Sequence, residues 1–251
     1  MRALPPLALA FHGVSDVPLR RDPQGLFVSP DELRRHLTRL REWDYRLVTF
    51  GELASLASRR RADAHAALTF DDGLVDNLET LVPLLREEDA PATVFVVSAW
   101  LGEPYPPAEW TRIVTRDELR ELARSVEIGA HSTRHADLSA LTYEDARRDL
   151  EECKRALEDA VGPVETAAYP FGRANEETIR ACRDAGFAAA CRISGEGSWD
   201  APHNLPRQDM LNCSSAVGLR LKRSDLYEPL MRFPPARAAR RASRMLRALA
   251  R

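Results

Sequence analysis

The sequence predicts an α/β domain, a distorted (β/α) barrel of about seven parallel strands akin to a TIM barrel. Short apolar runs alternate with amphipathic helical stretches almost throughout, the pattern of βα units feeding a parallel sheet. The 251 residues suffice for one large core, and nothing resembles an interdomain linker before Arg223. Unusual polar residues cluster directly after the apolar runs, where the loops of such a barrel converge on one face.

The elements follow in order. A strand is expected over 7–11. Ser29-Pro30-Asp31-Glu32 then combines an N-cap, a proline at the first helical position and a capping-box glutamate, opening a helix to about Trp43. Strands are expected over 46–49, 66–70, 92–97, 126–130, 166–169 and 187–191. Thr49 with Glu52 and Thr115 with Glu118 repeat the capping device, while Gly162 and Gly186 read as helix stops.

Composition removes several classes. Hydrophobic residues at 44% and charged residues at 29% exclude disorder, collagen and coiled coil. The net charge of −2 offers no whole-chain attraction to nucleic acid. No run approaches the roughly 20 apolar residues of a membrane span, and 7–11 is too short for a signal sequence, so the expected location is cytoplasmic. Cys153, Cys182, Cys191 and Cys213 form no CxxC pair, which favours free thiols over a zinc knuckle or redox motif.

The charge is uneven. Between Arg232 and Arg251 the chain carries seven arginines and no acid, which divides it into a body, 1–228, and a basic amphipathic tail, 229–251. Two readings of the tail stand side by side. Residues 236–251 contact an anionic bilayer, at about 1 kcal/mol per basic residue, which would make the protein peripheral to the inner face of the membrane. Alternatively they form a solvated terminal helix docked on the body. Without interleaved aromatics after Phe233, no nucleic-acid partner is expected.

Three segments carry chemistry. Thr69-Phe70-Asp71-Asp72-Gly73 places two carboxylates at a strand end, followed by the residue best suited to a tight turn. Neighbouring carboxylates facing one pocket repel unless a cation or a shared proton intervenes; taken alone, the segment equally fits a surface turn. His131-Ser132-Thr133-Arg134-His135 sets two imidazoles four residues apart, within reach of one ion across a single turn. Two histidines and one aspartate leave open positions for water and substrate, as in catalytic rather than structural zinc sites. Zinc is the first expectation, and the same donors suit cobalt, nickel or iron. In Ala168-Tyr169-Pro170-Phe171-Gly172 the proline and glycine set an unusual turn able to aim the Phe171 amide at a developing oxyanion; taken alone, the segment equally fits a plain β-turn. Trp100, Tyr105 and Trp110 suit either stacking on the rings of a ligand or packing over the barrel rim.

Together, TFDDG, HSTRH and AYPFG, in this order between about Ala3 and Met210, resemble the polysaccharide deacetylase family, carbohydrate esterase family 4 with its NodB-homology domain. The resemblance implies a distorted barrel, a divalent metal and hydrolysis of N- or O-acetyl groups on an amino sugar or polysaccharide. Residue by residue, it implies Asp71 as general base toward a water at the metal, with Asp72, His131 and His135 as ligands. Tyr169, Pro170, Phe171 and Gly172 match the segment that meets substrate.

The chain departs from the pattern in two places. Many members carry an arginine two residues before the motif proline, where this chain has Ala168; Arg207, in Leu205-Pro206-Arg207, is the candidate replacement that orients Asp71. No Leu-x-His follows Arg207, so the acid that protonates the leaving amine must come from elsewhere. His12, at the end of the first strand, and His203 are the candidates, and Asp71 returning its own proton is a third route. Two other functions share these ligands: a metal-dependent amidohydrolase or cyclic imidase for a small non-sugar amide, and a carbohydrate-binding relative with little turnover.

Overall fold

The computed structural model describes residues 4–18, 20–193, 197–210 and 219. The boundary at 228, the tail 229–251 with its membrane segment 236–251, and Cys213 lie outside the described residues. Among the described residues no helix is long and apolar enough to cross a membrane.

Every expected strand forms. β1 (Leu7–Phe11), β4 (Arg46–Val48), β5 (His65–Asp72), β6 (Thr93–Val96), β7 (Glu127–Ala130), β8 (Thr166–Ala168) and β9 (Ala189–Ile193) all run parallel. A further strand, β10 (Leu205–Asp209), inserts between β9 and β1. Since β1 also pairs with β5, the order β1-β10-β9-β8-β7-β6-β5 closes on itself into a seven-strand barrel. β4 lies outside the closed ring, on the first half of the β5 edge whose second half holds β6. A short parallel pair, β2 (Gly13–Val14) with β3 (Phe27–Val28), stands beside the mouth of the barrel.

Period-two alternation explains the two cores. Along β5, Ala66, Leu68 and Phe70 join the larger cluster under the surrounding helices, while Ala67 faces the smaller cluster inside the barrel. The interior is built from small side chains, among them Ala8, Ala67, Ala168, Ala189 and Cys191, around one large ring, Phe95. Gly129 makes room for that ring: a Cβ there would lie 2.4 Å from it. One end of the barrel is stopped by α2 (Phe50–Ser58). Its first amides donate to Thr93 Oγ1 (2.8 Å) and to the Glu127 carboxylate (2.9 Å), and Thr93 and Thr166 donate to that same carboxylate. The motifs gather at the opposite end.

Helix starts are where local chemistry places them. Ser29 Oγ accepts from the Glu32 amide at the head of α1 (Pro30–Glu42), Thr49 caps α2, and Thr115 with Glu118 forms a full reciprocal box on α4 (Arg116–Leu122). Three further α-helices among the described residues are α3 (Val82–Glu87), α5 (Tyr143–Val161), which stops at Gly162 with φ 84°, and α6 (Glu176–Asp184), after which Gly186 takes φ 82°. Gly129→Ala is expected to lower stability by about 1–3 kcal/mol, the usual range for overpacking. Chemical denaturation checks this, and an unchanged midpoint would mean that the Phe95 ring relaxes freely.

Candidate active site

Asp71 and Asp72 end β5, and the backbone decides where their side chains go. In a regular strand they would face opposite sides. Asp72 instead takes φ 77° and Gly73 φ 84°, so the chain turns over and both carboxylates reach the same end of the barrel. A left-handed aspartate is sterically unfavourable, and Asp72 is held by a contact from afar: the Tyr105 hydroxyl donates to its Oδ2 at 2.6 Å. The His131–His135 segment is likewise a loop turn, with Ser132 at φ 70° and His135 at φ 56°. Ser132 Oγ accepts from the amides of Arg134 and Ala136, and Asp149 accepts from the Thr133 amide at 2.9 Å.

Within this frame Asp72 Oδ1 lies 3.6 Å from His131 Nε2 and 3.5 Å from His135 Nε2. Among the described residues, this is the one group of three His, Cys, Asp or Glu side chains able to share an ion, its donor atoms lying within 4.8 Å of one another. The spacing suits ligation: ligands about 2.0–2.2 Å from a tetrahedral zinc are separated by about 3.3–3.6 Å. Asp72 Oδ1 is buried and has no hydrogen-bond partner. His131 Nδ1 lies 2.8 Å from the Ala168 carbonyl, which can only accept, so Nδ1 carries a hydrogen and Nε2 is the atom turned toward Asp72. Burial, reinforced by the neighbouring His131, pushes His135 down to about 4, so it is a neutral donor near pH 7. These donors fit a divalent cation.

Asp71 is held differently. Arg207 is fully buried and forks onto it, Nη1 to Oδ1 at 2.6 Å and Nη2 to Oδ2 at 2.9 Å. Nη1 also donates to Thr69 Oγ1, which in turn donates to the Leu9 carbonyl. The guanidinium lies 5.1 Å from the centre of the Phe95 ring. Burial alone would raise the Asp71 carboxyl, but Arg207, with help from His131, outweighs it and holds the group far below the usual carboxylate range. Asp71 Oδ2 is 4.0 Å from His131 Nε2, so the ionised carboxylate borders the ligand cluster.

His12 and His203 separate clearly. His12 Nδ1 is buried without a partner. His203 is engaged elsewhere, Nε2 against the Phe187 carbonyl at 2.8 Å, while its own carbonyl accepts from the Tyr169 hydroxyl. The segment after His12 is strapped to the turn beyond Gly73. Asn77 donates to the His12 carbonyl at 3.0 Å, and Asp76 accepts from the Val14 amide and the Ser15 hydroxyl, each at 2.9 Å.

The AYPFG segment divides. Phe171, in a left-handed conformation (φ 58°, ψ 5°), stands 57% exposed with its ring edge-on to His135 at 4.6 Å. Tyr169 and Pro170 are buried, and Gly172 is pressed against Ile193, so these three shape the turn rather than offer side chains to a ligand. The aromatics are also redistributed. Tyr105 is 1% exposed, which rules out stacking on a sugar. Trp100 stacks on His135 (5.3 Å, 28°), and Trp110 packs on Phe27. The links from Tyr105 to Asp72, from Trp100 to His135 and from Asp76 and Asn77 to the His12 segment had no signature in the sequence, because each joins separate loops.

A family model for polysaccharide deacetylases matches residues 58–190. The chain belongs to the polysaccharide deacetylase family. Among curated relatives of this deacetylase-family chain, YxkH of Bacillus subtilis (strain 168), a provisionally named polysaccharide deacetylase, is 25% identical over 71% of this chain and 61% of its own length. A chitooligosaccharide deacetylase from Sinorhizobium fredii is 30% identical over 54% of this chain and 60% of its own. The chain thus spans about three fifths of these relatives. The deacetylase PplD of Streptococcus pyogenes, solved with acetate, shares the fold at a TM-score of 0.76 and 20% identity, covering 88% of this chain and 99% of that one.

Two measurements test the site's electrostatics. Arg207→Ala leaves Asp71 charged, buried and unpaired, and should cost about 3–5 kcal/mol by chemical denaturation. Asp76 is pushed up to about 7, chiefly by burial, against its hydrogen bonds from Ser15 and Val14. An unfolded aspartate titrates near about 3.9, so the native state binds this proton more tightly and stability falls as pH rises from about 4 to 7. Asp76→Asn should remove that slope, its melting temperature gaining on the wild type between pH 4 and 8; parallel curves would contradict the shift.

Proposed function

We propose that the chain is a metal-dependent deacetylase that hydrolyses acetyl amides of an amino sugar or its oligomers, releasing acetate and a free amine. The observation that carries this reading is the Asp71 carboxylate, ionised by Arg207, at the edge of the Asp72–His131–His135 cluster. Family membership supports it, as do relatives named chitooligosaccharide deacetylase and chitin deacetylase, the latter from Pestalotiopsis and 33% identical over 41% of this chain.

Asp72, His131 and His135 hold the cation. When bound, it would supply Lewis acidity at the acetyl carbonyl and lower the pKa of the attacking water. Asp71 accepts the proton of the attacking water. The Arg207 fork keeps Asp71 ionised and fixes both of its oxygens, so the acceptor is present throughout the neutral range. The Phe171 amide, on its left-handed turn, donates to the developing oxyanion, a contact of the kind worth about 3–4 kcal/mol. His12 delivers a proton to the departing amine; its buried, unpartnered ring nitrogen, just beyond the end of β1, supports that role.

Acetate release from N-acetylglucosamine oligomers with added zinc or cobalt tests the proposal. Asp71→Asn should lower kcat by about 10²–10⁴-fold, the usual range for a general base, and the His131→Ala, His135→Ala double variant should lose the metal. His12→Gln should slow amide substrates far more than aryl acetates, whose leaving groups need no proton. Tight metal binding with no acetylated substrate cleaved would sink the deacetylase reading.

A further inference from the structure

The segment between β6 and α4 does more than cover the barrel mouth. Its backbone is pinned to both ligand loops: the Val114 amide donates to the Gly73 carbonyl at 3.0 Å, next to Asp72, and the Ala99 amide to the Thr133 carbonyl at 2.9 Å, between the two histidines. From this base two aromatic side chains each engage a different ligand. Tyr105 donates to Asp72 Oδ2, and Trp100 lies flat against the His135 ring. The two aromatics also touch each other edge-on, at 6.3 Å. Tyr105 is 1% exposed, so its hydroxyl meets Asp72 away from bulk water.

We propose that Tyr105, assisted by Trp100, is a positioning residue for metal retention. It immobilises Asp72 through one oxygen so that the other faces the two imidazoles, while Trp100 holds the His135 ring in plane. This inference rests on the cation reading of Asp72, His131 and His135. The physical argument is local. With Oδ2 occupied by a strong donor, the carboxylate presents Oδ1 alone, at 3.5 and 3.6 Å from the two Nε2 atoms. Without the hydroxyl, Oδ2 is a buried acceptor with no donor, and the left-handed Asp72 loses the tertiary contact that orients its side chain. Outer hydrogen bonds of this kind typically change metal affinity 10–100-fold.

Tyr105→Phe keeps the ring and its packing and removes only the donor. Zinc affinity is read by competition with a chromophoric chelator on the full-length protein, cobalt coordination by visible absorption, and folding by thermal melting without metal. The expected result is a metal-free melting temperature close to wild type, a 10–100-fold loss of zinc affinity and an altered cobalt spectrum. Trp100→Leu should weaken affinity less, with the same sign. Unchanged zinc affinity in Tyr105→Phe overturns the inference, whether or not the melting temperature moves. If the wild-type protein itself binds neither zinc nor cobalt, the metal reading of the site falls, and this inference with it.

Discussion

Arg207 and Asp71 are 136 residues apart and meet inside the barrel, and most of the architecture at the mouth depends on that meeting. β10 is the strand that closes the ring, and its central side chain crosses the interior to fork onto the end of β5. A buried ion pair is weak evidence for stability, since desolvation of both charges offsets much of their attraction. What this pair supplies is geometry and charge state. Both Asp71 oxygens are fixed, and Thr69 extends the hold to the Leu9 carbonyl on β1. Three strands are thereby locked around one carboxylate. An interior of small residues makes this possible, because a guanidinium needs room that larger side chains would deny it.

The second constraint is backbone curvature. Asp72, Ser132, His135 and Phe171 all adopt left-handed conformations, and all four lie in the three motif segments. Such residues persist where surrounding structure over-determines them, and the holding contacts are visible. Tyr105 bonds to Asp72, Ser132 Oγ collects two amides of its own loop, and the Phe171 ring abuts His135. Strain at the mouth is balanced by hydrogen bonds and ring contacts from neighbouring loops. The opposite end, by contrast, is closed by ordinary apolar packing and the Glu127 cluster.

The division between Asp71 and Asp72 follows from their partners. Adjacent carboxylates in one site would normally push each other toward protonation. Here one is matched to a fixed internal cation, Arg207. The other has a tyrosine donor on one oxygen and an unpaired oxygen turned to the Nε2 atoms of His131 and His135. One carboxylate is thereby kept charged and held at the side, while the other keeps one buried oxygen without a hydrogen bond. His12, strapped by Asn77 and followed by a segment bonded to Asp76, completes the mouth from β1.

Much of this was legible in the chain itself. The caps at Ser29, Thr49 and Thr115, the stops at Gly162 and Gly186, the seven expected strands and the two polar clusters after strand ends are encoded within three or four residues each, where steric and hydrogen-bond preferences act directly. The choice of Arg207 as partner to Asp71 was readable only as a candidate, and that between His12 and His203 not at all. Both depend on which strands become neighbours when the barrel closes. Tyr105 shows the limit most clearly. As a residue type it suits a sugar platform, yet the fold buries it and turns its hydroxyl onto Asp72. Local sequence determined the elements and the donors; tertiary closure decided which donors share a partner, because contacts between residues 33 or 136 positions apart exist only once the ring of strands has formed.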